Sequence, residues 1–187
     1  MTRTVSAAIL PAILLASVAC QQAPQQAAAP SPVERGKYIV TTGGCNDCHT
    51  PWKLGERGPE PDMTRLLSGH PQGMALPPAP AVQPPWGLTA ALSMTAWAGP
   101  WGVSYTANLT PDPETGVIGA MSEASFIQAM RTGKHLGAGR DIVPPMPWQW
   151  LGKMTDDDLK AIYAYLKSIP PIKNKVPDPV PPAPAGK

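Results

Sequence analysis

Apolar positions recur with helical spacing at three places in this chain, each bounded by its own start and stop signals. The first runs from Ser31 to about Thr42, with Val33, Tyr38, Ile39 and Val40 as its apolar content. Ser31 is an N-cap candidate, Pro32 suits the first helical position, and Glu34 three residues on completes a capping box. Gly43-Gly44 ends it. A second helix is expected over Glu123–Thr132, capped by Ser122, stopped by Gly133, and turning Phe126, Ile127, Ala129 and Met130 inward. The third starts at Thr155 with Asp156, Asp157 and Asp158 in its first turn, where the helix dipole favours negative charge. Leu159, Ile162, Tyr163, Leu166 and Ile169 carry its apolar stripe, and Pro170-Pro171 closes it.

From Pro51 to Tyr105 the periodicity fades. Asp62–Gly69 reads as a short helix carrying Leu66 and Leu67, and Leu76–Pro85 as a proline-rich loop. Met94–Trp97 and Trp101–Tyr105 flank Gly99-Pro100, a small β-hairpin pattern. Trp86, Trp97 and Trp101 are costly on a solvated loop; they are expected to cover a cofactor edge or partner patch, or to pack a small satellite core.

The ends differ again. Residues 1–19 have a charged start at Arg3 and an apolar run closing on small residues, which reads as an export signal. Cys20 follows in Ser17-Val18-Ala19-Cys20, similar to a bacterial lipoprotein signal whose cysteine is acylated, with Ser17 where Leu is usual. Cleavage after Ala19 or Ala29 is the other reading. Residues 20–32 form a Pro/Gln/Ala linker, 33–172 the folded domain with an insertion over about 53–105, and 173–187 a proline-rich tail. The 26 prolines in 187 residues far exceed the usual share of about 5%. Much of the length is therefore extended, and a buried prosthetic group would supply core that the side chains lack. A net charge of +2 argues against a nucleic-acid partner.

The stretch that carries chemistry is Gly44-Cys45-Asn46-Asp47-Cys48-His49-Thr50. Cys45 and Cys48 lie one helical turn apart, so both thiols can reach the vinyl groups of one porphyrin, and His49 then projects an imidazole at the metal. Three other readings compete: a thioredoxin-like redox pair, a structural zinc site and a simple disulfide. No βαβ pattern surrounds the pair, and the only other ligand candidates of those types are Cys20, His70 and His135. A disulfide across two intervening residues would be strained or catalytic. One covalent haem c with His49 as proximal ligand is the reading the residues favour.

An electron-transfer haem needs a second axial ligand, and thioether sulfur favours the reduced iron. The candidates are Met63, Met74, Met94, Met121, Met130, Met146 and Met154, with His70 and His135. Met130 falls on an inward helix face, and Met121 and Met154 sit just ahead of helix caps. Met146, in Ile142-Val143-Pro144-Pro145-Met146-Pro147-Trp148, cannot be helical, and the flanking prolines hold it in one direction. Met146 is the expected distal ligand. His135, among Gly133, Gly137 and Gly139, is next and is expected to be exposed.

Arg35-Gly36-Lys37, the haem motif, Met146 between prolines and Ala164-Tyr165-Leu166-Lys167 together resemble class I cytochrome c. Thr106–Gly116, with its Asn108-Leu109-Thr110-Pro111-Asp112 core, looks like a segment of the cytochrome c subunits of periplasmic or membrane-bound dehydrogenases. The resemblance covers about residues 33–172, although those subunits often carry two or three haem motifs and this sequence has one. It implies an all-α cytochrome c fold, interrupted here by the Pro/Trp-rich insertion with its hairpin. It also implies that the first and last helices cross with Gly36 beneath Tyr165, and that a proline carbonyl, with Pro59 the nearest match, accepts the His49 ring N–H. Arg65, Trp101 and Asn108 are the residues it suggests for haem surroundings.

The function this implies is single-electron transfer, not catalysis, between a dehydrogenase or quinol-linked donor and a terminal acceptor such as an oxidase or another cytochrome. The alternatives are a haem subunit docked permanently on a dehydrogenase, and a haem-based sensor or peroxidase, which would need an open sixth position. The expected location is the periplasmic side, held to the membrane through lipidated Cys20 or else soluble.

Overall fold

The structure, a computed structural model, describes residues 28–182. The expected export signal, Cys20 and the first part of the linker lie outside the described residues. Helix α1 (Pro32–Thr42) starts on the capping box: the Ser31 hydroxyl accepts from the Glu34 N–H, and the Glu34 carboxylate accepts from the Ser31 N–H at 2.8 Å. After Gly43 comes α2 (Cys45–His49), then β1 (Trp52–Gly55) and β2 (Gly58–Pro61), which pair antiparallel. Strands β3 (Thr89–Ala90), β4 (Ala96–Gly99) and β5 (Gly102–Tyr105) form a second antiparallel sheet in that order. Four helices follow: α3 (Val117–Ala120), α4 (Glu123–Thr132), α5 (Trp148–Leu151) and α6 (Asp156–Ser168). The Ser122 and Thr155 hydroxyls cap α4 and α6, accepting from the Ser125 and Asp158 N–H groups.

The all-α expectation is corrected here. Among the described residues six α-helices are joined by five strands in two sheets. The hairpin over β4 and β5 lies where the Gly99-Pro100 signal put it, but it is part of a three-stranded sheet, and the β1–β2 hairpin was not foreseen. The physical reason is that the insertion is too rich in proline and glycine to sustain helical hydrogen bonding, while its short apolar runs can still pair edge to edge. Asp62–Gly69 shows the same limit. Only Met63–Arg65 make a 3-10 turn, started by the Asp62 side chain accepting from the Thr64 N–H. Leu66 and Leu67 leave it with non-helical backbone, Leu67 at φ +58°.

Helices α1 and α6 cross at Gly36. A Cβ there would fall within 2.8 Å of Tyr165 Cβ and closer still to the Ala161 carbonyl oxygen. Only glycine allows that approach. The core beside the crossing is built from Ile39, Val40, Ile118, Phe126, Met130, Leu159, Ile162 and Leu166.

The segment expected as a proline-rich tail packs against the domain as far as it is described. Asn174, 2% exposed, sits in a polar slot where its Oδ1 accepts from Arg65 Nη2 (3.1 Å) and the Gln72 N–H (2.8 Å). Its Nδ2 donates to the carbonyls of Ser68 (2.7 Å) and His70 (2.8 Å). Further on, Val180 exchanges backbone hydrogen bonds with Val103 of β5. No helix among the described residues is long and apolar enough to cross a membrane.

Candidate functional site

Gly44, at φ +70°, turns the chain sharply out of α1, a conformation in which a side chain would be strained. The single turn of α2 then brings Cys45, Cys48 and His49 to the wall of a cavity of about 270 Å³. Its other walls come from α1, α4, α6, β4–β5 and the 142–147 loop, so the cavity occupies the middle of the hydrophobic core. Most of the lining is apolar; Trp97, Ser104, Tyr105, Thr106, His135 and Arg140 are the side chains with polar groups besides the motif.

His49 is buried, and its Nδ1 lies 2.8 Å from the Ala107 carbonyl oxygen. A carbonyl can only accept, so Nδ1 carries the proton and Nε2 keeps its lone pair for a metal. Burial lowers the His49 pKa below the ordinary 6.5, and the Ala107 hydrogen bond opposes that in part. The ring is neutral, as a ligand must be. Both cysteines are free, and burial raises their thiol pKa values, with the Asp47 carboxylate adding to the rise at Cys48. A catalytic redox pair is poised the other way, toward thiolate. Among the described residues no three His, Cys, Asp or Glu side chains converge into a metal cage.

Met146 lines the same cavity from the loop between Pro145 and Pro147, and so do Met121, Met130 and Met154. Met130 is committed to the core at 7% exposure, and Met63 and Met74 are exposed away from the cavity. His70 is fully buried elsewhere, its ring nitrogens against Thr95 Oγ1 and the Met74 carbonyl. His135, expected to be exposed, is half-buried and faces the cavity.

Four suggested residues do not line it. Pro59 is exposed on β2, and the acceptor for the His49 ring is Ala107, which corrects the proline expectation. Arg65 points at Asn174. The Asn108 amide is spent on the Ile172 and Asn174 carbonyls and on Thr110, holding the C-terminal segment in place. Trp101 Nε1 donates to Ser104. Trp97, by contrast, lines the cavity with a buried indole N–H that has no partner. Sequence reasoning missed Ala107 because a backbone carbonyl leaves no side-chain signature. The signal available was its place directly ahead of Asn108-Leu109 in the segment already singled out.

No family model matches this chain. It is 33% identical over 145 residues to a subunit of the nicotinate dehydrogenase of Pseudomonas putida, a match covering 78% of this chain and 9% of that protein. It is 29% identical over 170 residues to the cytochrome c subunit of alcohol dehydrogenase (quinone) of Gluconobacter oxydans, covering 89% and 28%. Over 165 residues it is 28% identical to the gluconate 2-dehydrogenase cytochrome c subunit of Pantoea cypripedii, covering 88% and 28%. The chain is thus similar to cytochrome c subunits of dehydrogenases, and it spans between 9% and 28% of the length of these relatives.

Proposed function

We propose that this chain is an electron-transfer haem subunit serving a dehydrogenase, with one covalently attached haem c and no bond chemistry of its own. The observation that carries the reading is the Cys45–Cys48–His49 turn on the wall of an apolar cavity, with His49 oriented by the Ala107 carbonyl. The residues fit the group. A largely apolar cavity suits a macrocycle, and the unpartnered Trp97 N–H with Arg140 suits its carboxylates.

Cys45 and Cys48 would hold the group as thioethers, an S–H addition across each vinyl double bond that needs no oxidant. His49 Nε2 would supply the proximal ligand, since Nδ1 is taken by the Ala107 carbonyl. Met146 would supply the distal one, with the loop prolines keeping its thioether from wandering. Bound here, the iron would provide a reversible one-electron couple. The apolar walls keep water away, and they and the neutral thioether both favour the less charged, reduced state.

The names of the relatives favour a docked subunit over a freely diffusing carrier, because those from Gluconobacter oxydans and Pantoea cypripedii are themselves cytochrome subunits of dehydrogenases. The donor is then the dehydrogenase, and the acceptor a quinone-linked or terminal redox protein. The location we infer is the periplasmic side of the membrane, with acylated Cys20 as the anchor. The test is the haem itself. Denatured protein keeps its colour on a gel, and its pyridine haemochrome gives one haem per chain with both vinyls saturated. Colour lost to acid–acetone extraction would overturn the reading.

A further inference from the structure

The loop that carries Met146 is short of ways to hold itself. Pro144, Pro145 and Pro147 have no N–H, so within residues 143–147 only Val143 and Met146 can donate from the backbone. The segment has to be fixed through its carbonyls. Pro147 is tied to α5, accepting from the Trp150 and Leu151 N–H groups. At the other end, Ser104 Oγ donates to the Pro144 carbonyl at 2.6 Å. This is the only side-chain hydrogen bond onto residues 143–147 among the described residues.

Ser104 is well placed for the task. It is 4% exposed on β5, opposite Trp97 in register, and it lines the same cavity as Met146. Its hydroxyl has one proton. The Trp97 carbonyl at 3.4 Å is the weaker claimant, so the proton goes to Pro144. Trp101 Nε1 donates to the hydroxyl at 3.3 Å, which orients it from behind. The strand beneath is held on both edges, by β4 and by the Val103–Val180 bridge. A hydroxyl on a braced strand therefore grips a donor-poor turn two residues before the proposed ligand.

We propose that Ser104 is a positioning residue: its hydrogen bond to Pro144 fixes the turn that presents the Met146 sulfur to the iron. The proposal rests on the reading of Met146 as distal ligand. An uncharged thioether holds iron weakly, so freedom in its loop trades directly against sulfur ligation. Loss of the Ser104 bond shifts the balance toward an open or exogenously filled sixth position.

The experiment uses the haem-loaded protein and reads the near-infrared sulfur-to-iron band of the ferric form and the affinity for imidazole. Ser104→Ala should weaken the band and tighten imidazole binding about five- to tenfold, the equilibrium equivalent of one buried neutral hydrogen bond. Ser104→Thr, which keeps the hydroxyl, should return both close to wild type. Ser104→Cys, a weaker donor of similar size, should move both in the same direction by less, and stands in if Ser104→Ala does not fold. In a Met146→Ala background the serine substitution should change nothing further. An unaltered band and affinity in Ser104→Ala would overturn the proposal, as would an equal effect with Met146 absent. A wild type without the sulfur band would overturn the Met146 reading itself, a failure visible before any substitution is made.

Discussion

Substituting Gly36 by alanine adds one methyl group at the point where α1 and α6 cross. That methyl would fall within 2.8 Å of Tyr165 Cβ, where ordinary contact lies at 3.4–4 Å, and closer still to the Ala161 carbonyl. The helices must part by on the order of 1 Å, and a gap of that size forfeits about a quarter to a half of the dispersion well of facing atoms. Ile39, Val40, Ile162 and Leu166 are buried side chains that the two helices contribute. Each is worth about 1.5–3 kcal/mol when buried. Losing about a quarter of four such contributions costs about 1.5–3 kcal/mol. Alanine in place of a helical glycine returns about 0.8–1 kcal/mol. The balance is a loss of about 0.5–2 kcal/mol, or about 1–8 °C in Tm for a domain of this size. Thermal melting followed by far-UV circular dichroism on the haem-loaded protein measures it. An unchanged or higher Tm would show helix propensity winning, and would refute the close crossing.

Asn174→Ala should cost about 3–5 kcal/mol in urea unfolding, because two buried hydrogen bonds to Ser68 and His70 and two part-buried ones from Arg65 and Gln72 are lost together. A loss below about 1 kcal/mol would mean the slot refills with water. Burial holds the His70 pKa below the ordinary 6.5, with the Met74 carbonyl opposing and the Arg65 charge adding to the fall. The folded state therefore keeps His70 neutral, and stability present above pH 6.5 is lost as pH falls toward the folded pKa, because the unfolded chain takes up its proton first. His70→Gln should flatten the decline in Tm over about pH 7 to 5; an identical slope would assign that decline to other groups. Cys20→Ser should release the protein from membranes with its haem spectrum intact. A membrane-bound variant would locate the anchor elsewhere.

The parts legible in the sequence are those whose causes are local. Ser31 with Glu34, Ser122 with Gly133, and Thr155 with its aspartates each write a helix end within four residues or mark both ends of one run, so α1, α4 and α6 could be bounded without knowing what they pack against. The cysteine–histidine turn is local for the same reason. The β1–β2 hairpin escaped because its strands are short, carry Pro59 and Pro61, and expose Leu54 and Glu60, leaving no alternation to read. Ala107 and Ser104 escaped for a different reason. Their partners, His49 and Pro144, lie 58 and 40 residues away, and neither residue type advertises such a contact.

The buried Asn174 also sets an order of events. In a chain made from its N-terminus, the Ser68 carbonyl waits 106 residues for the amide that satisfies it, and the His70 carbonyl waits 104. Contacts of such separation form late and slowly, since the intervening loop must close before they repay its entropy. Cys45, Cys48 and His49 are complete long before that, while the slot behind the insertion is still open to water. The nascent chain thus passes through a stage in which its attachment turn exists and its enclosure does not. The segment around Asn174 then closes the slot formed by Arg65, Ser68, His70 and Gln72.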